Sequence, residues 1–592
     1  MPPTARLDDL RPSRQRSAVF TDRAGEVAAT TIDDVIPAME EAERAAASGL
    51  WAVGYVAYEA APAFDRSLTV VDRASTRFHD GLPLVWFGLY RRRVIDPHPP
   101  RRDHAYQLST WRWTVGEERF VDSVDQIRDL IIAGDTYQVN YTTRLRARFS
   151  GDPLTLYHDL VTAQSGGYGA YLDTGRFQIL SASPELFFDR FSASEGDDRI
   201  VTRPMKGTAE RGRWRREDEA RRAALQSSEK DRAENLIIVD LLRNDLGRVA
   251  RFGTVHVEDL LAVERYDTVW QLTSKIAAEI DPDLGLVDVF RALFPCGSVT
   301  GAPKVRTMEI IADLETEPRG VYTGAIGFIA PEGTAGPKAS FSVGIRTVVV
   351  NTETGEAEYG VGGGITYDSI PTAEYQEARL KARVLEYGPS DFQLLETLRW
   401  DPDQGWLWLD RHLDRLEDSA EYFAVPIDRA GVVARMEAVA GGNGPLRVRL
   451  TVDRRGHVAV ETRALDDQSE PVKLALDDDP VDTASPFLFH KTTRRALYED
   501  RSNRYPDADD VLLINDKGEI TESTLANVVV RLDGRWVTPP VESGCLPGVY
   551  RSVLLDEGRI HERVVTLDDL GRADHVALIN SVRLWRPARL IG

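Results

Sequence analysis

The sequence predicts an α+β protein of two unequal domains, and three observations carry that expectation. The chain is 592 residues long, more than one core ordinarily serves. Its first half alternates aromatic and β-branched runs of strand character with amphipathic helical stretches. Within EYGPSDF (386–392) a Gly-Pro-Ser break ends a long helical pattern, and FQLLETLRW then opens as a fresh strand. The expected boundaries are 1–388 for the larger domain and 391–592 for the smaller.

Taken in order, VWFGLYRRRVI (85–95) and FQILSASPELFFDR (177–190) have the composition of strands, while ERFVDSVDQIRDLIIAG (118–134) predicts a helix that stops at Gly134. The densely charged stretch 209–235 predicts a solvated loop and helix. AENLIIVDLLRND (233–245) predicts an apolar helix with Glu234 near its start, where a negative charge is favourable. YGVGGGI (359–365) places three glycines after a strand, either as a tight turn or as a nest of N–H groups for an anion. TAEYQEARLKARVLEY (372–387) predicts a helix with Glu374, Glu377 and Lys381 on one face, which suits either an exposed ion-paired surface or a ligand set. Carboxylates brought together from distant helices, with water, are how Mg²⁺ is usually held.

A net charge of −21 argues against nucleic acid as a general partner, because no basic surface is available to displace phosphate counterions. Anionic small molecules remain compatible through local basic pockets. Cys296 and Cys545 lie far apart without metal-ligand spacing, as in a reducing cytosol. The opening MPPTARLDDLRPSRQRS lacks the apolar core of a secretory signal, and no run of about 18 apolar residues occurs. A cytoplasmic protein without membrane spans is expected.

TRPMKGTAERG (202–212) places Lys206 in a Pro-x-Lys-Gly-Thr turn between Arg203 and Arg211. Alone, it is either an exposed loop lysine or an amine whose pKa is lowered by like charges and so freed as a nucleophile. Nine stretches in order decide between these: GDTYQVN (134–140), SASPELF (181–187), RPMKGTAERG (203–212), AENLIIVDLLRND, FPCGSVTGAPK (294–304), YTGAIGF (322–328), FSVGIRT (341–347), YGVGGGI and EYQEARLKA (374–382). Residues 1 to about 388 resemble the chorismate-utilising enzymes, the group of anthranilate synthase, isochorismate synthase and aminodeoxychorismate synthase component I.

The resemblance implies an anthranilate-synthase-like domain of two packed sheets with chorismate and Mg²⁺ in the cleft between them. It implies that Glu234 and Glu377 ligate Mg²⁺ with Glu374 nearby. Arg346, Lys381, Thr300 and the backbone of Gly362, Gly363 and Gly364 would hold the substrate. Water-adding members typically carry lysine at the catalytic position of Gln138, which cannot act as that base, so ammonia is the nucleophile implied. Lys206 stands where anthranilate and isochorismate synthases usually have alanine. A lysine there resembles aminodeoxychorismate synthases, in which it attacks ring carbon 2 as the carbon-4 hydroxyl leaves, before ammonia enters at carbon 4 and expels it. The family often has histidine where this chain has Gln271, which leaves the acid step without its usual group. No Gly-x-Cys-x-Gly nucleophile turn is present, so the amine source is expected to be free ammonia or a separate glutamine amidotransferase subunit.

In the smaller domain ETLRW (396–400), HLDRLEDSAEYFAVP (412–426), HKTTRRALY (490–498), GEITESTLANVVV (518–530), SGCLPGVYR (543–551) and INSVR (579–583) occur in order. A lysine on a strand, a carboxylate some thirty residues on and an anion-ready helix start suit pyridoxal 5'-phosphate. Together these stretches resemble the class IV, branched-chain-type aminotransferases, especially the aminodeoxychorismate lyase branch. The resemblance implies that Lys491 carries the cofactor and that Glu522 faces its pyridine nitrogen. Arg415, the helix start at Val549 and Tyr550, and Ser581 would grip its phosphate. The family's opening strand and Gly-rich lead-in are missing before FQLLET, so either the larger domain supplies that edge or this domain is trimmed. Class IV relatives are usually dimers, and a homodimer through this domain is compatible.

The two resemblances imply one pathway: chorismate to 4-amino-4-deoxychorismate, then pyruvate elimination to 4-aminobenzoate for folate biosynthesis. The competing readings are an anthranilate synthase component fused to an amino-acid aminotransferase, and a catalytically silent partner of a glutaminase.

Overall fold

The computed structural model describes residues 5–10, 17–96, 105–164, 167–192, 196–266, 269–385, 392–465 and 471–591. Of the expected seam at 386–392, residues 386–391 lie outside the described residues. The chain divides into two compact units: Met1–Glu210 with Arg222–Ser390, and Arg211–Arg221 with Asp391–Gly592.

Among the described residues of the first unit, 19 strands are linked by hydrogen bonds. They form two runs. One passes through Trp51–Val56, Ala325–Ile329, Ala339–Val343 and Leu186–Phe191 to Val269–Ile280. The other joins Tyr168–Asp173, Phe177–Ser183, Thr347–Asn351, Glu356–Ile365 and Gln138–Gly151. Ala5–Asp8 pairs with both Ala18–Ala29 and Tyr168–Asp173, so it joins the two expected sheets along one edge. Strands such as Trp51–Val56 and Thr347–Asn351 are buried at every position, as expected of strands covered on both faces.

Val85–Ile95 and Glu117–Ile132 form as a strand and a helix where the sequence predicts them. The stretch 177–190 differs: it is two strands, Phe177–Ser183 and Leu186–Phe191. Pro184 has no N–H for the ladder, so the chain breaks there and Glu185 is left at the break. The charged stretch 209–235 also differs. It forms two helices, Arg215–Ser227 and Glu229–Gly247, and residues 211–221 belong to the second unit. There Arg211 and Asp218 form a buried ion pair at 2.7 Å, with the Arg211 guanidinium 4.3 Å from the Tyr422 ring centroid. Arg211, Gly212 and Asp218 are therefore packed, while most of the stretch is solvent-facing as expected.

Among its described residues the second unit holds a four-stranded sheet and an eight-stranded sheet. In the smaller sheet, Leu394–Asp401 and Leu446–Val452 pack their apolar side against the helices Leu409–Phe423 and Arg429–Val439. The larger sheet carries Ile520–Ser523, Asn527–Leu532 and His575–Asn580. Among the described residues no helix is long and apolar enough to cross a membrane.

Candidate active sites

In the first unit Lys206 lies on the strand Met205–Glu210, not in a turn; the pairing with Val269–Ile280 shifts register between Met205 and Thr208. Asn235 Nδ2 donates to Lys206 O at 3.0 Å, and Ser274 Oγ donates to Asn235 Oδ1 at 2.6 Å, which fixes the lysine backbone. Lys206 Nζ lies 3.4 Å from Glu234 Oε2. The flanking arginines do not act as expected. Arg203 is ion-paired with Glu264 and Arg211 with Asp218, so each like charge is offset by its own carboxylate.

The three glycines lie inside the strand Glu356–Ile365 rather than after it, paired in register with Thr142, Tyr141 and Asn140. The ladder engages the backbone of Gly363, whereas Gly362 and Gly364 face away from it, and Gly362 O accepts from Lys381 Nζ. Space is what the third glycine supplies: a Cβ on Gly364 would lie 2.4 Å from Lys206 Nζ and 2.8 Å from Gln138 Nε2. Gln138 is fully buried and neither atom of its amide has a hydrogen-bond partner.

The helix Pro371–Ala382 presents Glu374, Glu377 and Lys381 to the same cavity of about 170 Å³, which Glu234, Arg346 and the glycines also line. Lys381 Nζ donates to Gly362 O at 2.9 Å and pairs with Glu377 at 2.7 Å. Arg346 donates to Lys381 O and reaches Tyr359 Oη at 3.5 Å. The charge of Lys381 outweighs burial and holds Glu377 down to about 2. Burial, and then the charge of Glu377, pushes Glu374 up. Thr300 departs from expectation: its buried hydroxyl donates to Cys296 O at 3.2 Å, and it does not line the cavity.

Sequence reasoning missed Glu185. The Pro184 break turns it into the cavity, where it is 3% exposed and accepts a 2.6 Å hydrogen bond from Ser298 Oγ. Burial pushes its carboxyl up to about 7, against the opposing pull of Ser298, the Met205 N–H and Lys206. A carboxyl poised near neutrality in a cleft is an acid–base candidate. Gln271 lines the same cavity and donates to Thr208 Oγ1 at 2.9 Å. It cannot titrate, whereas the raised carboxyls of Glu185 and Glu374 in the same cavity can. The signal was the proline inside an apparent strand.

The second unit encloses a cavity of about 510 Å³ lined by Lys491, Glu522, Arg415, Val549, Tyr550 and Ser581, which brings all six expected cofactor residues together. Lys491 is not on a regular strand. It follows the short turn Pro486–Leu488, and its carbonyl accepts from Leu395 N at 3.0 Å beside a single bridge from Leu394 to Thr492. Burial, then the charges of Arg415 and Arg495, lowers the Lys491 ammonium to about 8, with Glu396 and Glu522 opposing.

Glu522 accepts from Tyr498 Oη at 2.9 Å and Leu546 N at 3.1 Å, and burial pushes it up to about 7. Arg415, on Leu409–Phe423, donates Nε and Nη2 to both carboxylate oxygens of Glu396 at 2.8 and 2.7 Å, and Nη1 to Pro547 O at 3.1 Å. Glu396 also sits 2.7 Å from His412 Nδ1. Despite burial, Arg415 and His412 hold Glu396 down to about 2. Glu396 belongs to ETLRW, whose sequence assigns it no role; its geometry makes it the residue that orients Arg415. The helix Val549–Asp556 starts after Gly548, where a Cβ would lie 2.0 Å from Asn527 Oδ1. Unpaired N–H groups at such a start suit a phosphate.

Both implied cofactors can be tested against these residues. A depressed lysine, a buried carboxyl on a Tyr498 hydrogen bond, and an arginine beside a helix start fit pyridoxal phosphate. In the first unit the donors are oxygens, and one carboxyl is strained by its neighbour's charge, which fits a hard divalent cation. Among the described residues no three His, Cys, Asp or Glu side chains close round one point. Such a cation would therefore share its shell with water and substrate, as Mg²⁺ commonly does.

A family model described as chorismate binding enzyme matches residues 6–387, and one described as amino-transferase class IV matches 393–591. The chain is 40% identical over 278 residues to anthranilate synthase component 1 of Aquifex aeolicus, covering 47% of this chain and 54% of that protein. It is 40% identical over 270 residues to aminodeoxychorismate synthase component 1 of Bacillus subtilis, covering 46% and 55%. The crystal structure of anthranilate synthase component I from Streptococcus pneumoniae matches with a TM-score of 0.53 at 26% identity, over 65% of this chain and 92% of that one. The chain thus spans about half the length of the curated relatives it matches.

Proposed function

The chain belongs to the family of chorismate binding enzymes and also carries a class IV amino-transferase domain, and from this premise we propose that it makes 4-aminobenzoate from chorismate in two steps. The observation that carries the reading is Lys206, an amine inside the cavity that also holds Glu185, Glu234 and Arg346. Relatives that only add a nucleophile directly have no need of an amine there.

In the first step Arg346 and Lys381 bind and orient the chorismate carboxylates by charge-assisted hydrogen bonds. Lys206 Nζ, as free amine, bonds to ring carbon 2 while both conjugated ring double bonds shift one bond along the ring and the carbon-4 C–O bond breaks. The Glu185 carboxyl gives its proton to the departing oxygen, which leaves as water. Ammonia then bonds to carbon 4, both double bonds return to their original positions and the C–N bond to Lys206 breaks. Glu234, Glu374 and Glu377 would hold Mg²⁺, which supplies electrophilic stabilisation of substrate oxygens when bound. Gln138 fills the base position without being able to take a proton, which supports ammonia over water as nucleophile. A separate glutamine amidotransferase is the proposed source of that ammonia.

In the second step Arg415, positioned by Glu396, and the start of Val549–Asp556 with Ser581 bind the cofactor phosphate, and Glu522 faces the ring nitrogen. Pyridoxal phosphate supplies the electron sink when bound. Lys491 Nζ removes the carbon-4 proton of aminodeoxychorismate, and departure of pyruvate from carbon 3 leaves an aromatic ring. Aromatisation drives the step, so no amino acceptor is needed.

The deciding experiment supplies the purified chain with chorismate, ammonium and Mg²⁺, with and without pyridoxal phosphate. Formation of 4-aminobenzoate only with the cofactor is expected. Formation of 2-aminobenzoate would instead establish the anthranilate reading, which the similarity to anthranilate synthase component 1 favours.

A further inference from the structure

Residues 211–221 lie inside the stretch matched by the chorismate binding model, yet they belong to the second unit. In sequence they follow directly on Met205–Glu210, the strand that carries Lys206. Within the second unit they pack against the turn that leads into Lys491. That lysine lies outside any regular strand, so the packing of the two residues before it helps set where its amine stands. Those residues, Phe489 and His490, are 2% and 4% exposed. Trp214 packs on Phe489 with ring centroids 4.9 Å apart, and the Arg213 guanidinium lies 4.6 Å from the Trp214 ring and 5.3 Å from that of Phe489. The His490 ring lies 4.3 Å from that of Tyr422, and its Nδ1 is 3.0 Å from Ser419 Oγ. Tyr422 is held in turn by the same segment. Its hydroxyl donates to Gly212 O at 2.7 Å and its carbonyl accepts from Arg211 Nη2 at 3.1 Å. Asp218 closes the segment on itself, accepting from Gly212 N and from Arg211 Nε, each at 2.8 Å. Phe489 directly, and His490 through Tyr422, therefore rest on residues 211–218.

We infer that Trp214, with Arg211, Gly212 and Asp218, positions Lys491 by clamping Phe489 and His490, so that the base of the second site depends on a segment of the chorismate-binding stretch. None of these four residues lines the Lys491 cavity, so they act through the turn and not on the substrate. Two effects follow from the geometry. Without Trp214, Phe489 can relax into the space left behind, and the amine two residues on moves with it. The Lys491 ammonium is lowered chiefly by burial, so a loosened turn that admits water raises it again. The inference rests on the proposed function in that Lys491 is the reacting base of this cavity.

The test compares the full chain with its variants Trp214→Ala and Trp214→Phe. On supplied aminodeoxychorismate with pyridoxal phosphate, kcat for pyruvate release should fall at least about tenfold in Trp214→Ala while KM changes less than about threefold, because a displaced base loses rate rather than binding. Trp214→Phe should recover most of the rate, since it restores a ring against Phe489. A second readout needs no turnover: the rate at which the cofactor-stripped chain takes up pyridoxal phosphate, followed by absorbance, which requires Lys491 as free amine. Its pH midpoint, near about 8 in the parent, should rise by at least about 0.5 in Trp214→Ala and return in Trp214→Phe. Arg415, Arg495, Glu396 and Glu522, the charged groups around that amine, are the same in all three chains. Amination of chorismate by the same preparations should change less than about twofold. An equal loss of amination would show a general loss of fold and overturn the positioning role. If pyruvate release and the uptake midpoint are both unchanged in Trp214→Ala, the positioning role is overturned and the lyase reading stands. If none of the chains releases pyruvate but the uptake midpoint still moves with Trp214, the lyase reading fails and the positioning of Lys491 stands.

Discussion

Lys206 Nζ lies 3.4 Å from Glu234 Oε2, against a glycine strand that leaves no room for a side chain at Gly364. The carboxylate beside it is one that would also hold a divalent cation. Competition follows: a cation on Glu234 would release the lysine from its ion pair. Lys206→Ala should abolish amination at carbon 4, with a loss of at least about a thousandfold, while the chain still releases pyruvate from supplied aminodeoxychorismate. Retained amination, measured as 4-aminobenzoate from chorismate and ammonium, would remove Lys206 from the mechanism.

The raised carboxyl of Glu185 predicts a pH dependence of definite sign for the proposed amination. Its carboxyl is pushed up to about 7, so below that pH it holds the proton an acid needs, and above it the proton is lost. Amination kcat/KM should therefore fall as pH rises through about 7. Glu185→Gln keeps a group able to accept from Ser298 but cannot titrate. It should lower the rate by about 10²–10⁴ and abolish that limb. A limb that persists in the variant would assign the ionisation to another group.

Gly364→Ala tests the space beside Lys206 directly. The added Cβ would meet two polar side-chain ends at 2.4 and 2.8 Å, closer than contact allows, so Lys206 Nζ or the Gln138 amide must move. Amination should fall at least about tenfold, since displacement of a reacting atom by an ångström costs on this scale. Lyase activity on supplied aminodeoxychorismate should persist. Unchanged amination would show that the lysine acts from another position.

The motifs made much of both sites legible, because chemistry demands particular residue types in order along the chain. Lys206, Glu234, Arg346 and Lys381 share one cavity and Lys491, Glu522, Arg415 and Ser581 another. What escaped was set by tertiary packing. Glu185 sat inside an apparent strand, and only the missing N–H of Pro184 marked it. The charges of Arg203 and Arg211 were visible, but their pairing with Glu264 and Asp218 was not. Residues 211–221 look like solvated charge in sequence because nothing local reveals that Arg211 stacks on Tyr422, more than 200 positions away. Glu396 was quoted as part of ETLRW, yet its function depends on Arg415 one helix later.

Lys491→Ala should stop pyruvate release and leave aminodeoxychorismate to accumulate when chorismate and ammonium are supplied. The lysine stands among Arg415, Arg495, Glu396 and Glu522, and no other lysine lines the cavity among the described residues. Product analysis of the reaction mixture checks this. Continued 4-aminobenzoate formation by the purified variant would contradict the role of Lys491 as base.

Glu396 holds Arg415 by two hydrogen bonds and His412 by a third. Glu396→Ala would leave the guanidinium without the carboxylate that fixes it, and loss of one partner from a buried pair costs about 3–5 kcal/mol. Cofactor affinity should weaken at least about tenfold, read from cofactor retention on dialysis, together with a lowered Tm. The pH dependence has the opposite sense to that of Glu185. Glu396 is held at about 2, below its ordinary 4.5, so its stabilisation is present above the ordinary carboxylate range and is lost as pH falls towards 2. Acid titration of the parent should therefore show a loss of stability over this interval that is reduced in Glu396→Gln. Equal acid sensitivity in parent and variant, with cofactor retention unchanged, would show that Arg415 is positioned by the helix and Pro547 alone.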